Sequence, residues 1–285
     1  MSEPCDLNKA SAKGFLGKSA CLQKEELVFW ESQRRSGDEV DLKLARDLPD
    51  DTPDFILHML SEFEKEAAEF CFAEARGLVL DAGCGNGNLL FKALNNDGIT
   101  KGTRFIGMDF SSNMLGRAAR RADGRAGFLQ GSVTHLPFQD QSFDWLASSG
   151  VLTCLPTCQE ATEALREFNR VLKPGGILVV DFFNLTSHYT LLRKYLFREL
   201  INPPEYVSPA NFWEALEDAG FRVLAYRGFD FKPCQGYLFM SRWRSILDPC
   251  FVQERLSRFL ESRIMPKWPE LSLLGYRIYV KCIRR

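Results

Sequence analysis

Apolar residues recur along this chain with two different periods. Ile56, Met59, Leu60, Phe63, Ala67 and Phe70 fall at helical spacing opposite Glu62, Glu66 and Glu69, which predicts an amphipathic helix. Thr52-Pro53 supplies its start, a hydroxyl N-cap followed by proline in the first turn. Between residues 78 and 183 short apolar runs alternate with amphipathic stretches, the pattern of a parallel sheet covered by helices on both faces. The runs predict strands near 78–82, 105–109, 127–130, 143–148 and 177–182. Ser111 or Ser112 would cap the helix after the second strand, and Lys173-Pro-Gly-Gly176 would end the helix before the fifth. A helix over 209–219 leads into a sixth strand, 220–226, and Tyr276 to Ile283 reads as the last.

Three stretches break this rhythm. Residues 1 to about 50 are polar apart from the island Leu27, Val28, Phe29 and Trp30. Residues 184–208 interrupt the exit of the fifth strand, and 228–274 separate the last two strands. Connections this long inside a compact domain are usually functional or mobile. The second carries Phe229, Phe231, Tyr237, Phe239 and Trp243, then a helical face of Val252, Leu256, Phe259, Leu260 and Ile264. It reads as a lid helix on its own domain, with a substrate wall or a membrane-contacting face as alternatives. The chain divides into an N-terminal helical segment and cap (1–75), a core (76–184), and a C-terminal segment with cap or lid insertions that completes the sheet (185–285).

Chemistry concentrates where the first strand ends. Leu78 to Gly87 reads Leu-Val-Leu-Asp-Ala-Gly-Cys-Gly-Asn-Gly: a buried strand ending in Asp81, then a bend with glycines at 83, 85 and 87. Without a Cβ, such a bend can bring its backbone against a flat ligand. The second strand ends in Asp109, 22 residues beyond Gly87, where a carboxylate can accept from both hydroxyls of a ribose. The spacing is G-x-G-x-G, not the G-x-G-x-x-G of a pyrophosphate loop, and no Lys or Arg lies between Leu78 and Leu90. An acid beside the bend repels a pyrophosphate and suits a ligand carrying an ammonium and a sulfonium.

With these residues the sequence resembles the class I S-adenosylmethionine (SAM)-dependent methyltransferases, in particular the small-molecule enzymes of the ubiquinone-biosynthesis type. The likeness runs from Leu78 to about Asn184. It includes three further blocks in order: Gly131 to Phe138, Gln141 to Ser149, and Arg166 to Gly176. The resemblance implies a doubly wound α/β fold, a mainly parallel, seven-stranded, Rossmann-like sheet whose last strand runs antiparallel between the fifth and sixth. It implies SAM as cofactor, with Asp81, Gly83, Cys84, Gly85 and Gly87 along its methionine end, Asp109 on the ribose and Phe110 beside the adenine. Ser132 and Val133 would lie at the adenine edge, where many relatives carry Asp in place of Ser132. Ser148, Ser149 and Gly150 would floor the place where donor and acceptor meet, and Cys154 stands where many relatives have His.

Methyl transfer needs alignment first and a base only when the acceptor must lose a proton. His188, with Tyr189 beside it, is the candidate base on the exit of the fifth strand; the alternative is a surface histidine in the first turn of a helix. His135 reads as structural and His58 as solvated. Trp30, Phe183, Tyr189, Tyr195, Trp213 and Phe231 could wall a small apolar or aromatic acceptor, methylated at oxygen or carbon in preference to nitrogen. Asn202-Pro-Pro-Glu205 resembles the motif of amino-methylating enzymes but lies past the wrong strand and lacks its aromatic, so it reads as a rigid turn. A nucleic-acid methyltransferase, an NAD-dependent oxidoreductase and a non-catalytic SAM-binding protein are the competing readings.

Composition adds limits. A formal net charge of -1 argues against a broad phosphate-binding surface and hence a nucleic-acid partner. The charge is uneven: residues 1–75 hold 17 acids against 9 bases, and 241–285 hold 4 against 10. Two faces that attract each other across the fold explain this; a basic tail meeting an anionic substrate or a membrane surface is the alternative. Nine cysteines form no C-x-x-C pair and no zinc-like quartet, so no metal is expected. No leader-like segment and no span of about 20 apolar residues is seen. The expectation is a cytoplasmic protein with mostly free thiols.

Overall fold

The computed structural model describes residues 54–196, 206–229, 252, 256, 259–264 and 267–285. Its first helix, α1 (Asp54–Phe72), precedes β1 (Gly77–Ala82). There follow α2 (Asn88–Leu94), the single turn α3 (Asp97–Thr100), β2 (Thr103–Asp109), α4 (Ser112–Ala122), β3 (Ala126–Gln130) and β4 (Phe143–Ser148). Then come α5 (Cys158–Val171), β5 (Leu172–Asn184), α6 (His188–Leu196), β6 (Tyr206–Val207), α7 (Pro209–Asp218), β7 (Phe221–Phe229) and β8 (Arg277–Arg284). The sheet order is β3-β2-β1-β4-β5-β8-β7, with β8 antiparallel to both neighbours and β1 to β5 parallel.

Local chemistry explains the element ends. Of the two serines that could cap α4, Ser111 does so: its side chain accepts from the Met114 N–H. Thr157 caps α5: its hydroxyl accepts the Glu160 N–H and donates to the Glu160 carboxylate. Ser208 caps α7, with Pro209 at its start.

The seven expected strands are joined by an eighth. Tyr206 and Val207 of β6 pair with Phe183 and Asn184 at the end of β5, a two-residue strand too short to leave a periodic signal. β5 also starts earlier than its apolar run, because the turn at Gly175 (φ 75°) lets Leu172 pair with Phe143 before the register shifts. Thr52-Pro53, the island at 27–30 and the aromatics at 231, 237, 239 and 243 lie outside the described residues. Of the anticipated lid face, Val252, Leu256 and Phe259 are exposed. Among the described cysteines Cys71, Cys84 and Cys282 are buried free thiols and Cys154 an exposed one, in line with mostly free thiols; Cys158 alone of these is disulfide-bonded.

Residues of alternate parity fill two cores. Leu80, Leu146, Val180, Phe182, Ile278 and Val280 pack against α5 and α7. Val79, Trp145, Val179 and Tyr279 pack against Phe63, Ala67 and Phe72 of α1 and Leu90 of α2. One pair joins the acidic and basic stretches, Lys281 with Glu74 at 2.6 Å; Arg285 of the basic stretch meets Glu217 at 2.6 Å, and Glu66 of the acidic one meets Arg227.

The third and fifth sequence blocks meet at one clamp. Arg170 of α5 donates to the carbonyls of Leu136 (2.9 Å) and Phe138 (2.8 Å) and to the carboxylates of Asp140 and Glu167. Glu167 in turn accepts the Leu136 N–H at 2.7 Å. These bonds hold the β3–β4 connection, which has no helix of its own. Arg170→Ala should therefore lower stability by about 2 kcal/mol in urea unfolding, whereas a solvated arginine would leave the midpoint unmoved.

Candidate functional site

β1, β2, β4 and β5 all present their carboxyl ends on the same side, where open parallel sheets bind ligands. The register sets one row across them: Gly107, Asp81, Ala147, Val179 and Lys281. Asp109 and Asp181 lie two residues further along their strands, on the same face as Asp81, and Ser149 is the first residue beyond β4.

The bend after β1 is anchored from below. The N–H groups of Gly83 and Cys84 both donate to the Met108 carbonyl, at 2.7 and 2.9 Å. Gly83 has φ 79°, and a Cβ there would lie 2.1 Å from Val151 Cγ2, so its glycine answers to packing as well as to conformation. Gly87 caps α2 against Ala118. Gly85 differs: at φ 53° its Cβ would meet nothing within 4 Å, and its N–H donates to Asp109 Oδ2 at 2.8 Å. It is the glycine that leaves backbone open to a ligand. Cys84 is a buried filler whose thiol is pushed up by burial, then by Asp81 and Asp109.

The two aspartates differ in their surroundings. Asp109 accepts from Gly85 and, at 2.9 Å, from the Ser111 N–H, which fixes its carboxylate at the tip of β2. Asp81 is 2% exposed, and its Oδ2 is, with Arg121 Nε, one of two buried side-chain polar atoms with no hydrogen-bond partner among the described residues. Burial, and secondarily the charge of Asp109, raises its pKa to about 7. A buried carboxylate oxygen without a partner, close to an open backbone in the same bend, fits a ligand that brings a cationic amine.

The remaining predicted residues are placed as follows. Phe110 is half-buried, and its carbonyl accepts from Gln130 Nε2 at 2.9 Å. Ser132 is exposed, with its hydroxyl shared with Thr134 Oγ1 at 2.9 Å, while the Val133 side chain is buried in the core. Ser148 is buried and donates to the Ala82 carbonyl at 2.8 Å, tying β4 to β1. Ser149, half-buried, bonds the Tyr279 hydroxyl at 2.7 Å.

At the end of β5, Asn184 and Ser187 fasten α6. Thr190 Oγ1 donates to the Asn184 carbonyl at 2.8 Å, and Ser187 Oγ accepts the Thr190 N–H at 3.1 Å. His188 is thereby the half-buried first residue of α6. Tyr189 is buried, edge-on to Tyr276, which stacks on Phe183 at 4.9 Å and shares its hydroxyl with Tyr206 at 2.9 Å. Of the expected wall, Phe183 and Tyr189 belong to this cluster. Tyr195 does not: it is 73% exposed. Trp213 packs instead against Phe182, Phe212 and Tyr226 on the opposite face, because α7 crosses there. Trp30, Phe231 and the stretch 202–205 lie outside the described residues.

Sequence reasoning missed Asp181 and Arg277. Their side chains form an ion pair, 0% and 10% exposed. Asp181 also accepts the Gly150 N–H at 2.6 Å. Arg277 donates to Ser149 Oγ at 3.3 Å and lies over the rings of Phe63, Phe183 and Tyr279. Burial raises the Cys71 thiol on α1, with the charges of Asp181 and Asp81 adding to the shift. A lone acid inside the apolar run 177–183 was the available signal, since a buried charge demands a partner.

Residues 80–180 match the family described as methyltransferase domain. The ubiquinone/menaquinone biosynthesis C-methyltransferase of Bartonella quintana is 37% identical over 113 residues, covering 38% of this chain and 42% of that protein. A demethylmenaquinone methyltransferase of Staphylococcus aureus is 37% identical over 105 residues, covering 35% and 40%. The match thus spans less than half the length of these relatives. Among solved structures, magnesium protoporphyrin IX methyltransferase from Synechocystis with bound SAH gives a TM-score of 0.57 at 16% identity, covering 92% of this chain and 100% of that one. Geranyl diphosphate C-methyltransferase from Streptomyces coelicolor gives 0.54 at 16%, covering 93% and 98%. At such identity the likeness is one of fold.

The raised pKa of Asp81 has a signed consequence. Between the usual carboxylate value of 3.8 and about 7 the folded protein holds a proton that the unfolded chain has lost. Stability therefore falls as pH rises from about 4 to about 7, by an amount on the order of 4 kcal/mol in all, and this contribution is flat above. Without ligand, Asp81→Asn should be more stable than wild type at pH 8, with the gap closing towards pH 4 in denaturant titrations. An offset independent of pH would contradict a buried, partnerless carboxylate.

Proposed function

We propose that this chain, whose residues 80–180 are a class I SAM-dependent methyltransferase domain, transfers a methyl group from SAM to oxygen or carbon of a small apolar or aromatic acceptor. The observation that carries the cofactor reading is the partnerless buried oxygen of Asp81 next to the open backbone of Gly85, with Asp109 fixed opposite. When bound, SAM supplies a methyl group already activated by the sulfonium charge.

The chain's own residues then bind, orient and exclude water. Asp81 takes the amino end, Gly83 to Gly87 lie along the methionine portion, and Asp109 accepts from the ribose. Phe110 flanks the adenine, and Ser132 and Val133 offer backbone at its edge. Ser149 and Gly150 border the transfer point, with Ser148 holding their strand to β1. Phe183, Tyr189, Tyr206 and Tyr276 present an aromatic wall at the end of β5. Such a wall favours a flat or apolar acceptor over a charged polymer. The names of the similar proteins, which refer to quinones, a porphyrin and an isoprenyl diphosphate, support the same acceptor class.

His188 takes the proton where the acceptor must lose one, and Tyr189 holds the acceptor's flank. A nucleic-acid substrate is disfavoured by the formal net charge of -1, and three bases of the basic tail, Arg277, Lys281 and Arg285, are engaged by Asp181, Glu74 and Glu217. No described helix is long and apolar enough to cross a membrane. Cytoplasmic work is part of this reading, although the disulfide at Cys158 does not follow from a reducing compartment.

Calorimetry should show S-adenosylhomocysteine binding and no NADH binding; the reverse would reject the cofactor. Asp109→Ala should weaken that binding by roughly 1–3 kcal/mol per lost ribose partner. With an acceptor in hand, His188→Ala should cut turnover by about 10²–10⁴ and remove the acid limb of the pH–rate profile, leaving cofactor affinity intact. Unchanged turnover would exclude it as the base.

A further inference from the structure

The β4 exit is held from two sides. Ser148 Oγ bonds the Ala82 carbonyl, and Val151 packs against Gly83, so the segment 148–151 backs the glycine bend. On the other side Asp181 of β5 receives the Gly150 N–H, and Arg277 of β8 grips both Asp181 and Ser149. Gly150 itself stands at φ 74°, a conformation that must be held for its N–H to keep this direction. Arg277 is fixed in turn by its seat over Phe63, Phe183 and Tyr279, rings from α1, β5 and β8.

A buried ion pair seldom justifies itself by stability, because desolvating both charges offsets their attraction, and apolar residues of similar size often serve the fold as well. This pair reaches the backbone of the site through directed hydrogen bonds instead. We propose that Asp181 and Arg277 are positioning residues for cofactor binding: the pair fixes Gly150 and Ser149, and through Val151 the bend at Gly83, in the arrangement that receives the methionine end of the cofactor. This rests on the SAM-binding reading. It adds that residues of β5 and β8, 96 positions apart, set the shape of a pocket whose sequence signature lies at 81–87.

The test uses the full chain and S-adenosylhomocysteine as probe. Asp181→Leu/Arg277→Met replaces the pair by apolar side chains that suit the buried site but cannot accept from Gly150. It should still unfold cooperatively while binding the probe roughly tenfold more weakly. Asp181→Asn/Arg277→Met restores a neutral acceptor to Gly150 and should recover most of the affinity, a rescue that a simple brace would not give. Wild-type affinity in the folded Leu/Met variant, or no recovery in the Asn/Met variant, overturns the proposal. Should the variants not fold, hydrogen exchange on wild type decides: the Gly150 amide should be strongly protected with or without the probe, and rapid exchange there would refute its bond to Asp181. If wild type itself fails to bind the probe, the cofactor reading falls first, an outcome distinct from these.

Discussion

A carboxylate kept dry at the end of a central strand is the constraint around which this molecule is arranged. Asp81 is buried, its Oδ2 has no partner among the described residues, and Asp109 adds a second negative charge beyond it. Folding alone would favour an apolar residue there, because an unmatched charge in low dielectric is costly. The geometry makes sense as a site completed by a ligand that brings positive charge. Stability is given up locally, the kind of local conflict expected at functional positions.

The rest of the site follows from the sheet. In-register parallel strands place Asp81, Asp109 and Asp181 on one face at one end, although 100 residues separate the first from the last. β8 enters antiparallel between β5 and β7 and carries Arg277 and Tyr279 into the same neighbourhood. β7 ends and β8 begins beside the end of β5, since Phe229 and Phe183 both pair with Arg277. The aromatic cluster of Phe183, Tyr189, Tyr206 and Tyr276 gathers here for the same reason.

The motif blocks that make the sequence resemble a methyltransferase are of two physical kinds. Some lie at the carboxyl ends of the first two strands and the bend between them, as Asp81, Gly85 and Asp109 do. Others are braces: Arg170 and Glu167 hold the β3–β4 connection, and Gly83 and Gly87 are required by Val151 and Ala118. A sequence pattern cannot separate the two, since a glycine demanded by a neighbouring side chain and one demanded by a ligand look alike. The wall residues show the limit from the other direction. Tyr195 and Trp213 were as plausible by position as Phe183 and Tyr189, but helix direction and strand parity sent one to solvent and the other to the opposite core.

By itself the sequence determined the alternating α/β order, the strand ends that carry Asp81 and Asp109, and the glycine bend between them. Those features are local, written in periodicity and in residues whose backbone preferences act over a few positions. Only the tertiary structure decided that β6 adds to the end of β5, that Lys281 of the basic tail meets Glu74, and that Asp181 and Arg277 meet under Gly150. Pairings between distant segments depend on strand order and register, which composition and spacing do not encode one residue at a time.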